Sequence, residues 1–246
     1  MAISTTVLIT GGAKRIGLAT AKYLHKYGFN IIITYNTSKK DARLLYDNLN
    51  QIRKNSCQII KVNFIAETNY KELYKKIMKC FGRLDVLINN AAKFYPTKIE
   101  KVNEKYWNDI INTNLKAPLM LSKFFFQELK KKKGCIINII DIHIDPPLKD
   151  HIIYNVSKAG LLSLTKTLAK ELAPYVRVNS ISPGAIMWAE IDRKKTKKQK
   201  DILSRIALQR TGTPDDVAKA ILFLIRDADY ITGQNINIDG GRKLNM

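Results

Sequence analysis

The feature that most constrains the fold is a regular alternation of short apolar, β-branched runs with longer amphipathic segments. Strands are predicted at 6–10, 30–34, 57–62, 84–88, 136–140, 176–181 and 235–238. Most of these strands are followed by a helical pattern, and a repeated βα unit requires a parallel sheet covered by helices on both faces. We predict a doubly wound α/β fold and one domain over residues 1–246, since no repeat, linker or low-complexity boundary interrupts the pattern.

The composition excludes several classes of protein. Hydrophobic residues make up 46% and charged residues 26% of the 246 positions, which is ordinary for a globular protein with a large core. No apolar run reaches the roughly 18 residues of a bilayer span, and the N-terminus lacks a signal-peptide layout. Cys57, Cys80 and Cys135 show no C-x-x-C spacing. We therefore expect a cytoplasmic protein with no membrane span, no disulfide framework and no metal site.

The net charge of +21 is the unusual property of this composition. One interpretation is nucleic-acid binding, and the other is a lysine-rich solvated surface. The excess is spread along the chain, and the basic clusters at 130–133 and 193–200 are not interleaved with aromatic residues, as a groove for single strands requires. We favour the solvated surface and expect no nucleic-acid partner.

The first predicted strand is followed by GGAKRIG and then by a helical pattern. A strand, a glycine-rich turn and a helix form the arrangement that holds a pyrophosphate at a helix N-terminus. Gly11 permits the tight turn, and Gly17 lets the helix approach a cofactor or the sheet closely. The spacing is not G-x-G-x-x-G, and such a loop is by itself a weak signal, since glycines also end strands.

The second predicted strand leads into Tyr35-Asn36-Thr37-Ser38, which contains no acid to bind the 2′-hydroxyl of an adenosine ribose. Lys14 and Arg15 in the first turn, with the hydroxyls of Thr37 and Ser38, suit a 2′-phosphate instead. We therefore predict NADPH as the cofactor.

Tyr154 and Lys158 lie four residues apart in a predicted helix, so their side chains share a face. A nearby ammonium favours the phenolate and lowers a phenol pKa from about 10, which would make Tyr154 a usable general acid. The alternative is an ordinary surface pair, because Y-x-x-x-K alone is a weak motif. Asp141 and the segments 89–92 and 182–184 also follow predicted strands, where ligands of parallel sheets bind, and this convergence favours a site.

Two further segments carry open interpretations. Asn114 falls inside a helical stretch at 102–133, where asparagine is mildly unfavourable, so it is either a satisfied polar residue or a functional kink that holds a water. Residues 185–208 are charged and poorly periodic, and we predict a mobile lid over a ligand. Thr213 and Pro214 then mark a helix start.

Taken together, these elements resemble the short-chain dehydrogenase/reductase family along essentially the whole chain. In order they are TGGAKRIG, NNAA, Asn114, Y-x-x-x-K, S-P-G and a terminal D-G-G. The resemblance implies a Rossmann-type fold, a nicotinamide cofactor, a homotetramer and a catalytic tetrad, of which Asn114, Tyr154 and Lys158 are present. With the positions above, the cofactor-binding residues that we expect are Gly11, Lys14, Arg15, Ile16, Tyr35, Asn36, Thr37, Ser38, Asn63, Asn90, Ala91, Tyr154, Lys158, Pro183, Gly184 and Ile186.

The serine of the family tetrad is replaced here by Asp141, thirteen residues before Tyr154. A serine hydroxyl donates a hydrogen bond to the oxygen of a ketone, whereas a carboxylate repels the developing alkoxide and favours a substrate that gains a proton on nitrogen. The pteridine reductase branch of the family carries Asp at this position. AKRIG, NNA-x-x-FYPT, NLKAPL, IDIH and PGAI-x-W extend the resemblance to a bacterial-type pteridine reductase.

That branch implies roles for the substrate-binding residues. Phe94 would stack on one face of a pterin, Arg15 would contact the cofactor phosphate and the pterin edge, and Tyr154 would donate a proton. Asp141 and Lys158 would set the pKa and orientation of Tyr154, and Asn114 would support a helix bend and a relay water. The substrate-binding residues that we expect are Arg15, Phe94, Asp141, Tyr154 and Trp188, although Trp188 would equally pack the lid.

Four further positions qualify this interpretation. Ala92 stands where better-known pteridine reductases have serine, and Asn36 stands where an arginine often binds the 2′-phosphate. Without that serine, the resemblance does not specify the orientation of a bound pterin. Without that arginine, the expected preference for NADPH depends on Arg15, Thr37 and Ser38. We take His143 and His151 for solvated loop histidines and assign them no role.

The predicted function is NADPH-dependent reduction of a pterin, from dihydropterin or dihydrofolate to the tetrahydro form. The first alternative is a short-chain reductase of a carbonyl substrate such as a 3-oxoacyl thioester, against which Asp141 and Phe94 argue. The second is a basic nucleic-acid-binding protein on a dehydrogenase scaffold, against which the intact Asn114, Tyr154 and Lys158 argue.

Overall fold

The computed structural model describes residues 5–66, 68–186 and 197–246. Within these ranges seven strands form one sheet in the order β3-β2-β1-β4-β5-β6-β7, and each neighbouring pair is parallel. The predicted strands are confirmed, with ends that differ by up to two residues. They are β1 Thr6–Ile9, β2 Asn30–Tyr35, β3 Cys57–Lys61, β4 Val86–Asn89, β5 Cys135–Ile139, β6 Arg177–Pro183 and β7 Asn235–Ile238.

Helices cover both faces of this sheet. They are α1 Arg15–Lys26, α2 Lys39–Ile52, α3 Tyr70–Phe81, α4 Glu104–Ile111, α5 Ala117–Lys131, α6 Ile152–Leu172, α7 Lys197–Ser204 and α8 Pro214–Arg226. Successive side chains of a strand point to opposite faces, so in β1 Val7 and Ile9 join a core with α1, α2 and α8, while Leu8 joins a second core with α3 and α5. The inner strands β1, β2, β4, β5 and β6 are therefore buried on both faces, whereas the edge strands β3 and β7 are partly exposed.

The strand order reverses between β1 and β4, and the crevice of a doubly wound sheet lies at this switch point. The loops after the two strands are joined there by hydrogen bonds. The Asn90 side-chain amide donates to the Thr10 carbonyl at 2.9 Å, and the Thr10 hydroxyl accepts from the Asn90 backbone N–H at 2.9 Å. The loop that follows β4 is thereby held against the glycine-rich turn that follows β1.

The predicted helical stretch at 102–133 is interrupted. Its two parts, α4 and α5, are joined by a π-helical turn over Asn112–Lys116 that contains Asn114. The Asn114 amide donates to the Lys93 carbonyl and to Ser157 Oγ, both at 3.0 Å, and its oxygen accepts from the Lys93 N–H at 2.8 Å. Asn114 is therefore a satisfied polar residue that also sits in a helix irregularity, a feature common at functional sites.

Two other local expectations can be compared with the structure. Thr213 forms a capping box with Asp216 and starts α8, as predicted. The predicted lid contains α7, and its segment 187–196 lies outside the described residues. In the described chain, none of the helices combines the length and hydropathy that a bilayer span needs.

Candidate active site

A cavity of about 710 Å³ opens at the carboxyl ends of the strands. All of the predicted cofactor-binding residues line it except Asn63. The predicted substrate-binding residues Arg15, Phe94, Asp141 and Tyr154 also line it, whereas Trp188 lies outside the described residues. The sequence therefore predicted most of the cavity wall.

The end of the cavity nearest α1 fits a pyrophosphate. Lys14 precedes the helix and provides no side-chain cap, and the first turn contains no acid, so the helix N-terminus is open to an anion. A Cβ on Gly17 would lie 2.6 Å from the Gly11 carbonyl oxygen and 2.7 Å from the Asn90 side-chain nitrogen. Gly11 has a φ of 62°, in the region that favours glycine. The turn can therefore pack against its own backbone and against the loop after β4 only because these positions lack side chains.

We expect Gly17→Ala to weaken NADPH binding by at least about tenfold, because the added methyl group must displace backbone at the pyrophosphate cradle. The dissociation constant can be measured from the fluorescence of bound NADPH. Lys22→Ala, on the exposed side of the same helix, is the matched control and should bind as the wild type does. Equal affinity in both variants would show that α1 does not hold the cofactor.

We expect the adenosine of the cofactor beside residues 35–38, which line one part of the cavity, called the adenosine end below. Among the described residues that line the cavity, the only carboxylate is that of Asp141, which leaves the adenosine end without an acid. Asn63 reaches this end indirectly, since its Oδ1 accepts a hydrogen bond of 3.1 Å from Asn36. The Lys14 ammonium lies 3.2 Å from Asp41 in an exposed ion pair, a contact that sequence reasoning missed. Exposed pairs are weak, so Lys14 can exchange this partner for a phosphate.

The catalytic candidates meet where β5 ends and α6 begins. The Tyr154 phenol, 5% exposed, donates a hydrogen bond of 2.6 Å to Asp141 Oδ2. The other carboxylate oxygen, Oδ1, lies 2.9 Å from the backbone N–H of His143 and 2.8 Å from its ring Nδ1. The carboxylate is thus held between a phenol and an imidazole.

The prediction that Lys158 lowers the pKa of Tyr154 is wrong. The Lys158 ammonium donates to the Ile139 carbonyl at 2.7 Å and lies 5.8 Å from the centre of the Tyr154 ring. Burial, followed by the charge and hydrogen bond of Asp141, raises the pKa of Tyr154 above its usual value. The phenol therefore keeps its proton at neutral pH, which suits a proton donor rather than a base.

The two charged neighbours of Tyr154 are shifted in different ways. Burial alone would raise the pKa of Asp141, but hydrogen bonds from His143 and Tyr154 outweigh it, and the pKa of Asp141 lies below its usual value. Burial lowers the pKa of Lys158 to about 8, against a small opposing effect of Asp141. At neutral pH the site accordingly holds an ionised Asp141 and a Lys158 close to its titration point.

We expect wild-type stability to rise relative to that of Lys158→Met as pH increases from about 8 to about 10. The pKa of Lys158 is about 8 in the folded chain and about 10.4 in an unfolded one, so the unfolded chain binds more protons between these values. The relative gain should be on the order of 2 kcal/mol, because one pKa unit corresponds to about 1.4 kcal/mol. Urea unfolding of both chains at the two pH values measures it, and identical pH slopes would contradict a desolvated ammonium.

An aromatic platform lines the cavity beside the phenol. The Phe94 ring is 57% exposed and meets the Tyr154 ring edge-on, with centroids 4.7 Å apart. His151 stacks on Phe94 with centroids 4.9 Å apart and planes 17° from parallel. An exposed ring on a cavity wall offers a flat, apolar surface to a planar ligand.

Sequence reasoning missed three residues at this site. His143 and His151 were taken for solvated loop histidines, yet the first contacts Asp141 and the second stacks on Phe94. Arg242, after the terminal D-G-G, has a buried Nε that makes no hydrogen bond within the described chain, and it interacts electrostatically with Asp141. Histidines in a loop directly after a catalytic strand are the signal that could have found the first two.

Asn114 does not line the cavity. Its hydrogen bonds hold Lys93, which does line the cavity, and Ser157, whose hydroxyl donates to the Tyr154 carbonyl at 2.7 Å. Asn114 therefore joins the loop after β4 to the helix that carries Tyr154. Whether it also supports a relay water stays a prediction.

The parallel sheet, the open glycine-rich start of α1 and the Tyr–Lys pair on one cavity define a nucleotide-dependent oxidoreductase site. The comparison with protein families agrees, because the sequence model described as enoyl-(acyl carrier protein) reductase matches residues 11–243. The chain belongs to the short-chain dehydrogenase/reductase family and is an oxidoreductase of that family.

Curated relatives cover nearly the whole chain. A 3-oxoacyl-(acyl-carrier-protein) reductase of Staphylococcus aureus (strain Mu50) is 32% identical over 244 residues, 98% of this chain and 99% of the relative. The proteins of the same name from Thermotoga maritima and from Buchnera aphidicola (subspecies Baizongia pistaciae) are 35% and 34% identical over 240 and 237 residues. They cover 96% and 95% of the relatives' lengths, respectively. These names match the first alternative, a 3-oxoacyl substrate, and do not support the pteridine reductase branch.

Proposed function

We propose that this protein uses NADPH to reduce a pterin, taking dihydropterin or dihydrofolate to the tetrahydro form. The observation that supports this function is the 2.6 Å hydrogen bond from the Tyr154 phenol to the Asp141 carboxylate. This carboxylate occupies the position from which the family serine would donate to a ketone oxygen. A carboxylate cannot donate that bond when ionised, because both of its oxygens only accept.

The charge of the site favours nitrogen over oxygen as the atom that is protonated. Hydrogen bonds keep Asp141 ionised by lowering its pKa. Its negative charge destabilises an alkoxide forming beside it and stabilises a substrate that becomes more positive as a ring nitrogen gains a proton. A C=N bond in a pterin ring has this requirement, and a 3-oxoacyl group does not.

In this reaction each residue of the site has its own role. Bound NADPH supplies the hydride. Tyr154, which keeps its proton at neutral pH, donates that proton to the substrate nitrogen, and Asp141 orients the phenol. The exposed Phe94 ring supports one face of the flat pterin. Arg15, on the cavity wall, is placed to contact the cofactor phosphate and the pterin edge.

A 3-oxoacyl thioester is the second candidate substrate. The names of the relatives favour it, since each relative is at least 32% identical and covers nearly the full chain. In that reaction Tyr154 would donate its proton to the ketone oxygen, while Asp141 would oppose the developing negative charge. The homotetramer and the cytoplasmic location expected from the family stay predictions.

The experiment that tests the proposal follows NADPH oxidation with dihydrobiopterin, dihydrofolate and an acetoacetyl thioester side by side, and repeats it with NADH. We expect turnover of the pterins, and a preference for NADPH of about tenfold or more because the adenosine end lacks an acid. Turnover of the thioester alone would overturn the pterin proposal in favour of the second candidate. Tight RNA binding at physiological salt without NADPH affinity would instead favour the nucleic-acid-binding alternative.

A further inference from the structure

We propose that His143 is a positioning residue for the reaction and that it sets the orientation of the Asp141 carboxylate. This inference rests on the proposed roles of Tyr154 as proton donor and Asp141 as its partner. His143 places two nitrogens on the same oxygen: its backbone N–H lies 2.9 Å and its ring Nδ1 lies 2.8 Å from Asp141 Oδ1. The second oxygen, Oδ2, is thereby left for the phenol at 2.6 Å.

The chemistry of the contact determines which ring nitrogen carries the proton. An ionised carboxylate only accepts hydrogen bonds, so Nδ1 of His143 must donate. When the ring is neutral, Nε2 is then the nitrogen without a proton. The side chains of His143 and Asp141 are 17% and 22% exposed, so most of this contact is shielded from solvent.

Other charged groups near Asp141 do not duplicate this contact. Lys158, from α6, directs its ammonium to the Ile139 carbonyl. Arg242, from the C-terminal turn, acts on Asp141 through its charge, but its Nε makes no hydrogen bond within the described ranges. Of the residues that the structure describes, His143 and Tyr154 are therefore the ones whose side chains hydrogen-bond the carboxylate.

The orientation of the carboxylate has a consequence for Tyr154. With Oδ1 held by His143, Oδ2 faces the phenol and fixes the direction of its O–H bond. Loss of the His143 ring should therefore lower kcat, because the phenol is less well directed toward the substrate.

Two substitutions separate the hydrogen bond from the rest of the ring. His143→Ala removes the ring but keeps the backbone N–H, and we expect kcat to fall about tenfold while the KM for NADPH stays within about twofold. His143→Asn can place an amide N–H near the position of Nδ1, so it should recover most of the lost kcat. Lys149→Ala, an exposed position in the same loop, is the control and should behave as the wild type does.

The coupling to Asp141 is tested by combining substitutions. In an Asp141→Asn background, His143→Ala should cost little further activity, because the carboxylate that it positions is already absent. Equal losses in the two backgrounds would show that His143 acts independently of Asp141 and would overturn the proposal. These assays can use whichever substrate the protein turns over, so a failure of the pterin proposal does not decide this one.

A measurement without substrate tests the ground state. The chain contains three histidines, His25, His143 and His151, so nitrogen NMR of histidine-labelled protein gives few ring signals to assign. We expect His143 to show the tautomer with its proton on Nδ1, and Asp141→Asn to change that signal more than those of the other two. A proton on Nε2 in the neutral ring, or an unchanged kcat in His143→Ala, would contradict the inference.

Discussion

Replacing Tyr154 by Phe should lower kcat by about 10³-fold and leave NADPH binding within a few fold of the wild type. The substitution removes the phenol oxygen that lies 2.6 Å from Asp141 Oδ2, together with its proton, and keeps the ring that packs edge-on against Phe94. Positioned proton donors contribute about 10²- to 10⁴-fold to reaction rates. Steady-state kinetics with the preferred substrate, together with direct titration of NADPH, measures both parts of this prediction.

Tyr95→Phe provides a matched control. Its phenol also donates to an aspartate, Asp109, at 3.3 Å, but it does not line the cavity. The same loss of a hydroxyl there should leave kcat within about twofold of the wild type. Activity of Tyr154→Phe close to that of this control would mean that the proton comes from another group, and the assignment of Tyr154 would be wrong.

Replacing Asp141 by Ser should lower pterin turnover by about 10²-fold and raise the ratio of thioester to pterin turnover. The substitution removes the negative charge and introduces a hydroxyl that can donate to a ketone oxygen. It also removes the hydrogen-bond acceptor of Tyr154 Oη, so the phenol loses the partner that fixes its direction. The ratio of the two kcat/KM values, measured on one preparation, reports the change in specificity.

Asp141→Asn separates charge from shape in this second experiment. The amide keeps the size of the carboxylate and one acceptor oxygen, so an effect as large as that of serine would identify the charge as the cause. Higher pterin turnover in Asp141→Ser than in the wild type would show that the electrostatic account of this position is wrong. The 3-oxoacyl reading suggested by the relatives would then become the better proposal.

Much of the fold followed from the sequence because it depends on local periodicity. The β-branched runs predicted the strands of the sheet, and the burial of the inner strands on both faces explains why their runs do not alternate with polar residues. The cavity wall followed from one topological rule, that parallel strands present their carboxyl ends at the same edge. Asn63 was predicted to bind the cofactor, but it does not line the cavity. Its side chain contacts Asn36, which does.

The electrostatics of the site did not follow from spacing alone. The interval between Tyr154 and Lys158 predicted a shared helix face, but it could not say that the flexible lysine would turn to the Ile139 carbonyl. The resemblance placed Asp141 near Tyr154, while the direction of the resulting pKa shift required their distance and burial. His143 was missed because its contact with Asp141, two residues earlier in the same loop, leaves no periodic pattern in the sequence.

The turn over Asn112–Lys116 sets the phase of the helix that follows it. A π-helical turn holds one residue more than an α-helical turn spanning the same rise, so it absorbs that residue without rotating α5. Each residue of an α-helix corresponds to about 100° of rotation, so the same sequence wound as regular α-helix throughout would turn the buried Phe125 and Leu129 of α5 away from their core by about that angle. Asn114 would turn away from Lys93 and Ser157 at the same time. The one extra residue of this turn thus sets the angle between the packing faces of α4 and α5. It also sets the position of Asn114, which holds the loop that lines the cavity.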